Sequence, residues 1–195
     1  MRCSTPLLLA AIVGFCASPV DGQRPSRRSA LWISGGADLG YATTECRLCN
    51  DEAAAGPAGW VQLGGSPSQK ALIAVEFSYW RADGATTAQE YALAMAVVRF
   101  YPFQNMPLFL TGGLGVGRYA EEGVSSTGSA WALSAHGFAY QAGAGYEFQL
   151  SDRFHLGPMV RFVSAQGHKA TVNQLGELQD MTGKWFRIGL QITWR

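Results

Sequence analysis

The chain has 195 residues, of which 15% are charged, 24 glycines and a formal net charge of +1. That length suits one domain of ordinary size. A near-neutral balance with no run of Lys or Arg gives nucleic acid no electrostatic footing, so no nucleic-acid partner is expected.

In chain order, the first element reads as a leader. Arg2 gives a positive start, Pro6 to Ala17 an apolar stretch too short to span a bilayer, and Val20-Asp21-Gly22 compact residues ahead of a cut before Gln23. Residues 1–22 are therefore read as a cleaved secretory signal peptide, 23–28 as a short N-terminal segment, and 29–195 as the mature fold. No apolar run of helical spanning length follows the leader.

Alternation of apolar and polar residues at period two predicts strands over 29–41, 59–65, 70–81, 89–102, 107–119, 133–150, 154–165 and 184–194. Ser66-Pro67-Ser68-Gln69, Phe103-Gln104-Asn105-Met106 and Ser151-Asp152-Arg153 have tight-turn chemistry. Longer links over 42–58, 82–88, 120–132 and 166–183 are rich in Gly, Ser, Thr and Asn. The first holds Cys46-Arg47-Leu48-Cys49, read as a loop-stabilising disulfide in a chain that leaves the cytoplasm. Free thiols, or a metal or redox pair, are the alternatives. No His or third Cys lies near enough to complete a zinc site, and no metal or cofactor is expected.

The alternation also assigns faces. In segment 133–150 the even positions carry Phe138, Tyr140, Tyr146, Phe148 and Leu150, and the odd ones Gln141, Gly143, Gly145, Glu147 and Gln149. A basic residue facing lipid at mid-membrane costs ~2–4 kcal/mol, a large share of the ~5–15 kcal/mol that stabilises an ordinary fold. The charged faces must then be interior. This defines a lumen charge network of Asp38, Glu76, Arg99, Glu147, Arg161 and Arg187, accompanied by Gln62, Gln141, Gln149, Gln191 and His155. Three acids against three arginines describe a charge-paired plug rather than a wide selective pore. His155 reads as a satisfied interior group. A tight turn at 151–153 sets Gly143 opposite Arg161 and Gly145 opposite Met159. A slightly wider one before residue 107 sets Gly113 opposite Val97, Gly115 opposite Met95 and Thr111 opposite Arg99. Tyr41, Trp60, Tyr79, Trp80, Tyr91, Phe100, Tyr101, Phe103, Tyr119, Phe154, Trp185 and Trp194 crowd the segment ends and read as interfacial girdles. A soluble sandwich would leave Phe186, Ile188, Leu190, Ile192 and Trp194 as a greasy patch in water.

The reading is all-β: an eight-stranded antiparallel up-and-down transmembrane β-barrel. With its terminal pattern FxIxLxIxW (Phe186 to Trp194), segment 29–195 resembles the small outer-membrane β-barrel proteins of the OmpA/OmpX-like class. The resemblance implies a bacterial outer membrane, with periplasmic termini and the longer loops extracellular. It implies outer-membrane lipid and lipopolysaccharide as surroundings, and the barrel-assembly machinery as reader of the terminal segment. Trp194 would be the periplasmic membrane-interface anchor, and Arg195 extends the pattern by one residue.

A structural or interaction role follows as the expectation: envelope integrity and surface-loop contacts, with the extracellular partner unidentified. A narrow channel for small or hydrophobic solutes is the alternative. A second is a lipid A-modifying enzyme, because Ser134 and His136 stand two apart on the outward face of the sixth segment, as a nucleophile and base could. The order is the reverse of that lipase family's His-x-Ser, and the available acids, Glu121 and Glu122, are read as loop residues. No enzyme activity is expected. The run Gly112 to Gly117 is not a phosphate cradle, since it lies within a strand with no helix or lysine following.

Overall fold

The computed structural model describes residues 31–45, 53–85, 87–103, 106–124, 128–172, 176–178 and 181–195, except for the side chains of 168–172, 176–178 and 181. The leader, the segment 23–28, and Cys46 and Cys49 lie outside the described residues.

Eight long strands run in alternating directions: β1 Leu31–Glu45, β2 Ala53–Ser68, β3 Ala71–Asp83, β4 Thr87–Phe100, β5 Leu108–Val124, β6 Ala130–Tyr146, β7 Phe154–Val172 and β8 Met181–Trp194. Each pairs antiparallel with the next. β8 returns to pair with β1 from Ile33 opposite Trp194 to Glu45 opposite Thr182, which closes the cylinder. Closure leaves no sheet edge and pairs the backbone groups along every strand. Two short pieces complete the sheet: Phe148–Gln149 resumes the line of β6 past a break at Glu147, and Gly176–Leu178 pairs with the far end of β7.

The alternation produces an outside and an inside. On β8, Phe186, Ile188, Leu190 and Ile192 are half exposed, whereas Arg187, Gln191 and Thr193 are almost wholly buried. The other strands repeat this, with Leu39, Val61, Val75, Phe77, Val98, Leu114, Val116 and Phe138 outward. Such a coat is unsuited to water and matched to hydrocarbon.

Serine chemistry makes two of the tight turns. Ser68 Oγ accepts from the amides of Lys70 and Ala71, and Ser151 Oγ from those of Arg153 and Phe154. Each bends the chain by replacing a backbone partner with its own hydroxyl. The first turn lies at Gln69 and Lys70, two residues beyond the expected centre, because β2 continues through an irregularity between Gly65 and Ser68. These turns, the start of β1 at Leu31 and the end of β8 at Trp194 mark the turn end of the barrel. The opposite end is called the rim.

Two expectations need correction here. The links read over 42–58, 82–88, 120–132 and 166–183 are largely strand, since β1, β2, β3, β5, β6 and β7 all continue into them. Backbone pairing persists past the greasy band, where outward side chains no longer have to be apolar and the period-two signal fades. The sixth segment, in turn, is not continuous to 150: Glu147 leaves the ladder, and its amide donates to Pro107 O. The registers agree with those read from the sequence: Gly143 faces Arg161, Gly145 Met159, Gly113 Val97, Gly115 Met95 and Thr111 Arg99.

Candidate functional site

The interior is filled in two layers. Nearer the turn end lies a polar layer in an aromatic setting. Arg99, fully buried, has its guanidinium 4.9 Å from the ring centroids of both Trp32 and Phe109. Its Nη2 donates to Gln62 Oε1 at 2.6 Å and Ser34 Oγ at 3.2 Å, and its Nη1 to Glu147 Oε1 at 3.3 Å. Farther up, Arg161 bridges acids on two strands, with Nη1 on Glu76 Oε1 at 2.9 Å and Nη2 on Asp38 Oδ2. Arg187 reaches the same Asp38 oxygen at 2.8 Å. Gln62 and Gln141 both donate to Glu76 Oε2, and Trp60 Nε1 to Asp38 Oδ1 at 3.4 Å. All six charged residues picked from the sequence therefore meet inside the barrel, each in an ion pair. A guanidinium is fit for this, because its planar fork can serve several acceptors at once.

The sequence reading omitted Arg195. It lies on the inward face next to outward Trp194, and its Nη2 donates to Tyr101 OH and Glu147 Oε2. Parity could have found it. Glu147 thus serves two arginines, and the described lumen holds four guanidinium groups against three carboxylates, not three against three. The break in the ladder places Glu147 where both can reach it.

The second layer, towards the rim, is apolar and was not foreseen. Trp80, Tyr91, Tyr119 and Trp185, expected in interfacial girdles, are buried here, and Trp60 and Tyr101, expected there too, are buried in the layer below. Each shares strand parity with a lumen residue or another inward ring: Trp80 with Glu76, Trp185 with Arg187, Tyr91 with Arg99. Tyr41, Tyr79, Phe100, Phe103, Phe154 and Trp194 do face outward, with Trp194 37% exposed. Tyr91 is the hub of the upper stack, with ring centroids 3.7 Å from Trp185, 4.5 Å from Tyr119 and 5.6 Å from Trp80, and a 2.8 Å hydrogen bond shared with Thr44. Leu93, Leu133 and Val163 fill between the rings. Large inward groups fit because glycines oppose them. A Cβ on Gly40 would sit 2.7 Å from the Trp80 indole, and one on Gly143 2.9 Å from Arg161 Cγ.

Little space is left among the described lumen residues. A cavity beside Tyr91, Gly117 and Gly183 measures about 20 Å³, and one among Ser78, Trp80, Trp185 and Arg187 about 10 Å³. Each is room for ~1 water. A larger hollow, about 540 Å³, lies at the rim between the β3–β4 and β5–β6 hairpins, lined by Asp83, Thr87, Glu122, Val124 and Trp131.

Ser134 and His136 lie on β6 near the rim, Ser134 half-buried and His136 exposed. The residue opposite His136 on β5 is Arg118, a cation where the orienting acid of a triad would stand. Glu121 and Glu122, expected in a loop, are part of β5. Glu121 accepts a hydrogen bond from Tyr119 OH at 2.6 Å. His155 is buried, opposite Gln149 and Thr193.

No family model matches the chain, and no curated protein does. Solved structures do. Ail, the attachment invasion locus protein of Yersinia pestis, superposes with a TM-score of 0.56 at 15% identity, over 86% of this chain and 100% of that one. A major outer membrane protein from Thermus thermophilus gives a TM-score of 0.57 at 11% identity, over 85% and 100% of the two chains. The fold is that of the small outer-membrane barrels. Neisserial surface protein A adds a TM-score of 0.51 at 16% identity, over 84% of this chain and 96% of that one. Identities at this level tie the chain to these proteins by architecture, not by any shared side-chain site.

Proposed function

We propose that the chain is a non-conducting barrel of the bacterial outer membrane, with a structural and interactive role: holding a rigid cylinder in the envelope and presenting its rim to partners outside. The turn end would then be periplasmic, with Trp194 anchoring at that interface and the terminal strand offered to the assembly machinery. The observation that carries the reading is the filled lumen. Arg99, Arg161, Glu76, Trp80 and Trp185, each 2% exposed or less, occupy the bore in successive layers. A wide aqueous path and such packing exclude one another. The rim hollow, with Trp131 between Asp83 and Glu122, supplies a concave surface for contact.

Planar-bilayer recording tests this. The refolded full chain is expected to give no steady current, and a stable conductance would end the reading. A path for small apolar solutes is the second reading, favoured by the apolar upper layer. Uptake of such a solute into barrel-bearing vesicles, above that into empty ones, would establish it. For an enzyme acting on lipid A, Arg118 opposite His136 argues against the pair's chemistry. Incubation with lipopolysaccharide is expected to give no acyl release that Ser134→Ala or His136→Ala abolishes.

A further inference from the structure

The outward face changes character near the rim. Along the line of β6 and the short piece that resumes it, the greasy side chains extend from Phe148 back to Phe138. At ~3.4 Å per residue and a tilt near 40° that is a band ~26 Å tall, about the thickness of a hydrocarbon core. Just above it stand charged residues. Exposed Arg81 on β3 is neutralised by Asp83 and Glu90, both within 2.9 Å, and Lys184 on β8 by Glu45 at 2.7 Å. Arg118 on β5 differs. It is exposed, and among the described residues no acid pairs with it. Its direct register partner is His136, also exposed, which in turn stands opposite Lys169 on β7. Directly opposed residues of this kind hold their Cβ atoms ~5 Å apart, so Arg118 and His136 crowd one spot. Immediately below them Val116 and Phe138 are 64% and 47% exposed.

We infer that Arg118 and His136 form a binding site for the phosphate of an outer-leaflet glycolipid, the lipopolysaccharide class, whose acyl chains lie over Val116 and Phe138. The guanidinium fork and the imidazole N–H are the donors that a phosphate takes. A phosphate lying between the two side chains can accept from both, and among the described residues no carboxylate takes that place. The alignment of cation above and greasy surface below matches an amphiphile standing upright in a membrane, which a free ion would not need. The assignment to the outer leaflet rests on the proposed orientation, rim outward.

The test uses the refolded full chain and purified lipopolysaccharide, intact or with its phosphates removed, with binding followed by native mass spectrometry. Arg118→Glu with His136→Glu is expected to weaken intact lipopolysaccharide binding by about tenfold or more, with Lys184→Ala close to wild type. The phosphate-free form should bind wild type as weakly as the intact form binds the double variant. Equal binding by variant and wild type, or by the two lipid forms, overturns the site. So does displacement by inorganic phosphate, which would make it a free-anion site. Heat-modifiable gel migration confirms that each variant has closed. An epitope tag inserted after Gly128 and probed on intact cells reads orientation separately. A tag detected only after permeabilisation would overturn the leaflet assignment whatever the binding shows.

Discussion

At the scale of single residues, the barrel depends on a few charged groups buried in its lumen. Arg161 is the central one, since among the described residues it alone joins Asp38 to Glu76. Replacing it with Met removes a cation and leaves two buried carboxylates, with Arg187 still on one of them. Stripping one partner from a buried ion pair costs ~3–5 kcal/mol. Arg161→Met should therefore lower the unfolding free energy in lipid vesicles by about that amount, read from the urea midpoint. Adding Asp38→Asn and Glu76→Gln should recover much of the loss, because the exposed cost is that of unpaired charge rather than of missing contact. Recovery that fails would mean that Arg161 acts mainly through its 4.6 Å stacking on Trp60.

At the scale of the strand, one rule governs both faces: side chains alternate, and each face meets a different medium. β8 shows it most cleanly. Leu190 lies mid-band and outward, 58% exposed, and Thr182 lies on the same face near the rim. Leu190→Arg should destabilise the inserted barrel by ~2–4 kcal/mol and Thr182→Arg by ~0–1 kcal/mol, following the depth dependence of a basic side chain facing lipid. Equal effects at the two depths would show that no hydrocarbon covers Leu190. The same rule explains what strand reading missed. The expected girdle included Trp80, Tyr91 and Trp185 because they lie near segment ends. Position along a strand, however, does not choose a face. Parity does, and Trp80 has the parity of Glu76. The charged residues were placed correctly because their energetic penalty in lipid is one-sided. An aromatic ring is content against lipid or inside, so its residue type alone carries no such signal.

At the scale of the whole molecule, the two lumen layers act in series. Emptying the upper one by Trp80→Ala with Trp185→Ala should leave the barrel electrically silent, since Arg99, Arg161 and their partners still fill the lower one. Conductance should appear only when Arg99→Ala and Arg161→Ala are added. Current from the first pair alone would identify the aromatic layer as the seal. This arrangement also bears on how the rim can vary without risk to the cylinder. The filled bore lies below Tyr119 and Trp131, and the strand ends that project past the greasy band carry no part of the lumen ion pairs.

The sequence alone was sufficient for the alternation, the number of long strands, the membership of the lumen charge set apart from Arg195, and the registers that set glycines opposite large lumen groups. Each of these is set by short-range rules: period two along a strand, a fixed residue count through a turn, and a large penalty for misplacing charge. Tertiary closure decided the rest. Only when β8 meets β1 do Asp38, Glu76 and Arg161 share one spot, because their strands are distant in the chain and adjacent just across the bore. The same closure brings Arg195 to Glu147 and stacks Tyr91 on Trp185. Those meetings depend on how strands wrap around a common axis, which no local pattern of residues encodes.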